Sequence, residues 1–147
     1  LEKQGIPFRK IVFPRYTEQS SALIRMYLGG DFGTSPDAVN AYAASTFFAC
    51  DRYASYKSDW KADCDEADKI IVANRYTSAT AVHQLSKLPR DMWETFLDWL
   101  WDFEFVKLGL PTPDLVIYLE GLIRGCVSAV FLECFNDILF IIDPDIK

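Results

Sequence analysis

Three short apolar runs restrict the fold of this chain more than any other feature. They lie at residues 10–13 (KIVF), 69–73 (KIIVA) and 115–119 (LVIYL), and each is rich in β-branched residues with little polar alternation. Continuous apolar runs of this length are typical of strands that are buried on both faces, as in a parallel sheet covered by helices. We therefore predict that these runs form strands of such a sheet.

The stretches between the strands have the spacing of amphipathic helices. We predict helices at residues 20–28, 37–56 and 89–108, the second with Ser35 as its N-cap and Pro36 in its first turn. Strands that alternate with helices favour βαβ units, so the predicted fold class is α/β, a parallel sheet with flanking helices. Bulky apolar residues recur at steps of three and four in the third helix, which indicates packing on the sheet or a surface for a partner. They are Met92, Trp93, Phe96, Leu97, Leu100, Trp101 and Phe103.

Composition limits the functions that the chain can have. Its 147 residues are enough for one domain, and a net charge of −6 argues against nucleic acid or an anionic membrane as a partner. An anionic ligand must then be held by arginine or lysine placed locally. The four cysteines have no paired spacing and there is a single histidine. We therefore predict neither a metal site nor a disulfide framework, but free thiols in a reducing cytoplasm.

The last part of the chain, residues 121–147, differs in character from the rest. It is richer in Val, Ile, Leu and Phe, but Arg124, Glu133 and Asp137 divide it into runs too short to span a bilayer. A helix followed by a final strand at residues 137–142 fits this pattern. We therefore divide the chain into a core at residues 1–120 and an apolar tail at residues 121–147.

The segment FFACDRY contains the first candidate site residues. Phe48 and Arg52 are four residues apart, so on a helix they share one face, with the ring beside the guanidinium. An aromatic plane next to a planar cation suits a nucleobase, which can stack on the ring and accept hydrogen bonds. The alternative is a core contact in which the arginine stem lies across the ring.

A second group of candidates follows the predicted strand at residues 69–73. Asn74, Arg75 and Tyr76 come directly after it, at the position where ligands bind in open parallel sheets. An arginine there can bind phosphate in bidentate fashion, although a loop arginine can instead form a surface salt bridge. Polar side chains follow within the next turns: Thr77, Ser78, Thr80, His83 and Gln84.

The segment Phe13-Pro14-Arg15-Tyr16 follows the first predicted strand. Pro14 favours an extended exit from the strand, which can aim Arg15 or Tyr16 across the edge of the sheet. Taken alone, the segment is interpreted as an ordinary connection between a strand and a helix. Together with the other two segments it gains weight, because ligands bind beyond the carboxyl ends of the strands in open sheets of this kind.

In their order and spacing these segments resemble the thymidylate kinases, a family of nucleoside monophosphate kinases with a P-loop fold. The resemblance runs from about residue 1 to 120 and rests on FPRYTEQSSALIRMYLGGDFG, FFACDRYAS, IVANRYTSATAVHQLSKLP and GLPTPDLVIYLE. It implies a P-loop nucleoside-kinase-like fold and ATP-dependent phosphorylation of dTMP to dTDP for dTTP biosynthesis. It also implies ATP and Mg²⁺ as cofactors and a homodimer.

The resemblance further implies a role for each candidate residue. Arg75 and Asn74 would be the catalytic residues, with Arg75 holding the phosphate of dTMP. Asn74 stands where the family has aspartate in its Asp-Arg-Tyr/His motif, which puts metal handling at that position in question. Phe48 would stack on thymine and Arg52 would contact the edge of the base. The rest would bind the nucleotide: Phe13, Pro14, Tyr16 and Tyr76 as walls, Thr80 and Gln84 toward thymine, and His83 near the sugar.

Two parts of the family pattern do not occur in these 147 residues. There is no Gly-x-x-x-x-Gly-Lys-Ser/Thr loop for the ATP phosphates, since Gly29 and Gly30 follow a predicted helix without a lysine after them. Residues 121–147 do not have the pattern of an arginine-bearing lid. By resemblance, the chain is truncated at the N-terminus and lacks the central strand, whose neighbours we expect to be unpaired. We expect impaired kinase activity, with a non-catalytic dTMP-binding or dimerising remnant as the alternative.

Overall fold

The computed structural model describes residues 1–66, 69–118 and 138–142, and it confirms the predicted α/β class. Within these ranges, four strands form one sheet in the order β1-β2-β4-β3. They are β1 (Phe8–Val12), β2 (Ile70–Asn74), β3 (Leu115–Tyr118) and β4 (Ile138–Ile142). The predicted final strand at residues 137–142 corresponds to β4. The predicted helix before it and the cysteines at 126 and 134 lie outside the described residues.

β1 starts earlier than predicted because it is an edge strand. It begins at Phe8 and includes Arg9, which pairs in register with Ile71 of β2 although it is charged. A charged side chain on an edge strand can stay in contact with solvent. A prediction from apolar continuity therefore underestimates the length of the strand. The Arg9 guanidinium forms ion pairs with Asp59 and Asp63.

The fourth strand corrects two expectations. β1 and β2 are parallel, but β4 is antiparallel to both β2 and β3, so the sheet is not parallel throughout. The expectation of unpaired neighbours around a central position is also wrong, since β4 pairs along both β2 and β3. It thereby supplies the hydrogen-bond partners that a buried strand backbone requires. Because β2 and β3 both oppose β4, the strands β1, β2 and β3 run in one direction.

The described helical elements include the three predicted helices, with different boundaries, and two further α-helices at Lys61–Cys64 and Thr77–Leu85. The α-helices are α1 (Ala22–Gly29), α2 (Ala41–Ser55), α3 (Lys61–Cys64), α4 (Thr77–Leu85) and α5 (Trp93–Trp101). Short 3-10 turns occur at Glu2–Gln4, Gln19–Ser21, Pro36–Ala38 and Arg90–Met92, and π-helical segments at Tyr56–Trp60 and Asp102–Lys107. Among the described residues, every helix falls short of the length and apolar character that a membrane span requires.

The predicted helix at residues 37–56 is wrong at its start. Ser35 caps only a 3-10 turn, where its hydroxyl accepts a hydrogen bond from Asp37 N at 3.3 Å. Val39 is then extended and buried, which interrupts the helical path. The long helix α2 begins after Asn40, whose side-chain oxygen accepts from Ala43 N at 2.9 Å. The sequence contains two capping signals, and the second one starts the helix.

The predicted helix at residues 89–108 changes its winding twice, from a 3-10 turn to α5 and then to a π-helical segment. Phe96 and Leu100 of α5 are buried, as packing on the interior predicts, whereas Leu97 and Trp101 are exposed. The helix therefore has a buried face, and the interpretation of its other face as a partner surface stays a prediction.

Two apolar clusters hold the elements around the strand ends. The first joins β1 and β2 to the residues that follow them and consists of Ile11, Phe13, Trp60, Ile71, Ala73 and Tyr76. The second joins α2, α4 and α5 through Ala41, Ala81, Phe96 and Leu100. Both clusters are buried, so the helices and strand ends between them have defined positions.

Candidate functional site

A cavity of about 940 Å³ lies beside the carboxyl ends of β1 and β2, and its volume is in the range of small-molecule sites. The three segments singled out in the sequence meet on its wall, together with α1 and the loop that follows α1. Every predicted site residue except Asn74 lines it: Phe13, Pro14, Tyr16, Phe48, Arg52, Arg75, Tyr76, Thr80, His83 and Gln84. The role of each residue toward a ligand stays a prediction.

α2 presents Phe48 and Arg52 to the cavity one helical turn apart. The Phe48 ring packs against the Tyr27 ring of α1 in a T-shaped arrangement, with ring centroids 6.4 Å apart and planes at 87°. Lys87 holds Tyr27 in turn, because its Nζ donates to the Tyr27 hydroxyl oxygen at 2.5 Å. These contacts fix an aromatic ring on the wall, which is what stacking of a flat ligand requires.

Arg52 is held by a buried carboxylate behind the cavity wall. Its Nε donates to Glu104 Oε2 at 2.7 Å, and its Nη2 donates to the other carboxylate oxygen of Glu104. Nη2 also donates to Thr80 Oγ1 at 3.0 Å, and Thr77 Oγ1 donates to Glu104 Oε2 at 2.7 Å. Arg52 is 2% exposed and Glu104 is fully buried. The head group of Arg52 is therefore ordered and charge-balanced, and its Cζ lies 5.9 Å from the centroid of the Tyr76 ring. Its contact with a ligand stays a prediction beside the alternative of a core contact.

The sequence interpretation missed Glu104, although a signal for it exists. Glu104 follows Phe96 and Leu100 at steps of four residues, which places an acid on the buried face of the same helical run. A buried carboxylate needs a charged or polar partner, so such a residue predicts an arginine or lysine opposite. The partner itself comes from a distant segment and has no local signal.

A second buried acid, Asp51, fixes the turn after β1. Its carboxylate accepts from Arg15 N at 2.9 Å and from the Ser20 hydroxyl at 2.5 Å. The Arg15 side chain also lies toward Asp51, with Nε 3.8 Å from Oδ1, and does not line the cavity, whereas Tyr16 does. The Phe13–Pro14 peptide bond before this turn is cis. Asp51 thus determines how the segment after β1 forms one wall.

Arg75 has an unusual backbone where it leaves β2. Its φ is +63°, in the left-handed region that residues other than glycine rarely adopt, and its side chain lines the cavity. Such a conformation costs free energy, and it persists only where contacts in the surrounding structure offset that cost. Residues of this kind cluster at functional sites. Asn74, the last residue of β2, is not on the wall, and its buried side-chain oxygen has no hydrogen-bond partner among the described residues.

His83 on α4 provides a prediction about pH. Burial lowers the pKa of its imidazole from 6.5 to about 4, and the charges of Arg75 and Lys87 act in the same direction. The unfolded chain takes up this proton near pH 6.5 and the folded chain only near pH 4, so acidification through this window favours unfolding. As the pH decreases from 6.5 to about 4, we expect the free energy of unfolding to decrease more in the unmodified chain than in the variant His83→Gln, which lacks this titrating group.

The measurement is direct because His83 is the single histidine of the 147 residues. NMR titration of its imidazole protons reports the pKa in the folded chain, and denaturation of both proteins across the pH range reports the linked stability. Carboxylates titrate in the same window, but they are common to both proteins and drop out of the difference. A titration midpoint at the ordinary value of 6.5 would contradict the prediction.

The described residues include neither a glycine-rich phosphate loop nor a cluster of metal ligands. They contain no group of three His, Cys, Asp or Glu side chains that could hold a metal ion. Gly29 and Gly30 lie at the end of α1 instead of between a strand and a helix N-terminus, where backbone N–H groups bind phosphate. Of the described cysteines, Cys50 is exposed and burial raises the pKa of the Cys64 thiol to about 11.

Comparison with known proteins adds an independent finding. The chain is 30% identical over 110 residues to thymidylate kinase of Mycobacterium tuberculosis, in the CDC 1551 / Oshkosh strain and in the ATCC 25618 / H37Rv strain. The match includes 74% of this chain and 50% of each relative, so the chain spans about half the length of the curated relatives it matches. It matches no protein-family model. The identity supports a thymidylate-kinase-like relationship.

Proposed function

We propose that the chain forms the acceptor site of a thymidylate-kinase-like fold and binds dTMP, the substrate that such an enzyme phosphorylates to dTDP. The observation that carries this proposal is the presence of Phe48, Arg52 and Arg75 on one cavity wall. A ring, an ordered guanidinium and a second arginine at a strand end suit a base, the edge of that base and a phosphate. The 30% identity to thymidylate kinase supports the same function.

Polar atoms on the wall suit a pyrimidine base. Gln84 is 2% exposed, and its side-chain oxygen has no hydrogen-bond partner among the described residues, so it is available to accept from a base N–H. The Thr80 hydroxyl accepts from Arg52 and keeps its own proton for donation. The wall thus offers both an acceptor and donors close to the stacking ring of Phe48.

The charge of the cavity suits a monophosphate. Besides Arg52, which is paired with Glu104, two further cationic side chains line the wall, Arg75 and Lys87. Local cations of this kind offset the net charge of −6 that otherwise repels an anion. Phosphoryl transfer asks the protein mainly for positioning and charge compensation, and a nucleotide held at base and phosphate has its acceptor oxygen aligned.

We further propose that these 147 residues transfer phosphate poorly by themselves. They contain no Gly-x-x-x-x-Gly-Lys-Ser/Thr loop, and the described ones offer no ligand group for Mg²⁺. Neither the phosphate loop nor a metal ligand set is then present among the described residues to stabilise the charge of ATP phosphates during transfer. The same observation favours the second candidate function, a non-catalytic dTMP-binding protein. A homodimer could use the face of α5 on which Leu97 and Trp101 are exposed.

The variant Arg75→Met tests the proposed phosphate contact. Loss of a charge-assisted contact to phosphate should weaken dTMP binding by about 3 kcal/mol, roughly a hundredfold in the dissociation constant. Titration calorimetry with dTMP measures this change. Arg90→Met is the matched control, because Arg90 is exposed and packs over Trp93 outside the cavity, and it should bind dTMP as the unmodified chain does.

The same experiment separates the two candidate functions. Calorimetry with ATP and an assay of dTDP formation show whether the chain is an enzyme: turnover above a protein-free blank supports catalysis, and dTMP binding without turnover supports the non-catalytic alternative. An unmodified chain that does not bind dTMP would contradict both. Equal dTMP affinity in Arg75→Met and Arg90→Met would contradict the role of Arg75.

A further inference from the structure

We propose that Glu104 is a specificity-determining residue of the cavity: by fixing Arg52, it selects a base that presents a carbonyl oxygen over one that presents an amino group. This inference rests on the proposed binding of a pyrimidine nucleotide and assigns a residue to its selectivity. Glu104 does not line the cavity. It acts through Arg52 and is therefore a positioning residue.

The hydrogen bonds of Arg52 leave one nitrogen for a ligand. Of the five N–H groups of the guanidinium, Nε–H is bonded to Glu104 Oε2 at 2.7 Å and one Nη2–H to the other oxygen of that carboxylate. The second Nη2–H is bonded to Thr80 Oγ1 at 3.0 Å. Both remaining N–H groups are on Nη1, which has no hydrogen-bond partner among the described residues. Because Arg52 lines the cavity, we assign this pair of donors to a ligand bound there.

Glu104 is itself held from two sides. Thr77 Oγ1 donates to Glu104 Oε2 at 2.7 Å, and Leu110 N donates to the backbone oxygen of Glu104 at 3.0 Å. The residue belongs to the π-helical segment Asp102–Lys107, and its side chain is fully buried. The carboxylate therefore has one orientation, and the two-point contact transmits that orientation to the plane of the guanidinium.

A donor pair on Nη1 distinguishes pyrimidine bases chemically. An oxo group, such as thymine and uracil carry, accepts from these donors, whereas the amino group at the same ring position of cytosine is itself a donor. A buried site made to bond one group rejects an analogue without it, since its own polar groups then stay unpaired. When the carboxylate of Glu104 is neutralised, the guanidinium can turn and this selection weakens.

The test compares affinities for dTMP and dCMP, measured by calorimetry. The unmodified chain should prefer dTMP, and Glu104→Gln should lower the ratio of the two affinities about tenfold. Glu104→Asp keeps the charge and should restore part of the ratio. Asp63→Asn is the matched control, because it breaks the ion pairs with Arg9 and Lys69 away from the cavity, and the ratio should stay unchanged.

The ratio separates positioning from a merely structural role. Loss of folded protein reduces the binding of both nucleotides equally, so an unchanged ratio in Glu104→Gln would overturn the inference. In an Arg52→Met background, Glu104→Gln should not change the ratio further, and an additional change would overturn it as well. If the unmodified chain bound dTMP and dCMP equally, the inference alone would fail. If it bound no dTMP, the proposed function would fail together with the inference.

Discussion

Replacing Glu104 with leucine should lower the free energy of unfolding by about 3–5 kcal/mol. The change leaves the guanidinium of Arg52 charged and buried, with 2% of the residue exposed. Among the described residues it keeps only the hydrogen bond to the Thr80 hydroxyl and the contact with the Tyr76 ring. A loss of this size is comparable with the whole stability of a domain, which is about 5–15 kcal/mol. Urea denaturation followed by the fluorescence of the four tryptophans measures it.

The double variant Arg52→Met, Glu104→Leu is the control for this prediction. Apolar side chains of similar volume fill the same space without a buried charge, so the double variant should regain most of the lost stability. The two single changes are then strongly non-additive, as expected for residues in direct contact. A double variant as unstable as Glu104→Leu would show that the carboxylate stabilises the fold by another route.

A proline in β4 should have an effect of similar size. β4 lies between β2 and β3, and Phe140 pairs with Ala73 on one side and Val116 on the other. Every backbone N–H of a central strand is directed at one neighbour or the other, so a proline at any position removes a hydrogen bond of the sheet. We expect Phe140→Pro to lower the free energy of unfolding by about 3 kcal/mol.

Lys10→Pro in β1 is the matched control. Phe13 N donates to Asn74 O at 3.1 Å, and since neighbours along a strand alternate in direction, the N–H of Lys10 points away from β2. A proline there should cost much less. Denaturation midpoints of the two variants provide the comparison, and equal midpoints would contradict the central position of β4.

The strand ends could be predicted from the sequence because their signals are local. Apolar continuity indicates β2. Residues that follow this strand, such as Arg75 and Gln84, could be assigned to the site because the chain leaves the sheet there. Phe48 and Arg52 could be placed on one face because four residues make about one turn of a helix. These inferences require no knowledge of which segments touch.

The remaining features depend on contacts between distant segments. The spacing of Glu104 indicates its burial, but the partners of Asp51 and Glu104 have no local signal, because Arg15, Ser20 and Arg52 come from distant segments. The direction of β4 likewise has no local signal, because the same apolar run can pair either way. Sequence spacing therefore predicts the residues that line the cavity better than the buried residues, such as Asp51 and Glu104, that fix their positions.

The direction of β4 also decides where the chain between it and β3 is attached. Tyr118 pairs with Ile138, so the end of β3 and the start of β4 are neighbouring points of the sheet. Since β1, β2 and β3 run in one direction, these points are at the rim where Phe13 and Arg75 follow their strands. The ends of β3 and β4 that border residues 119–137 thus share one rim of the sheet with the strand ends beside the cavity.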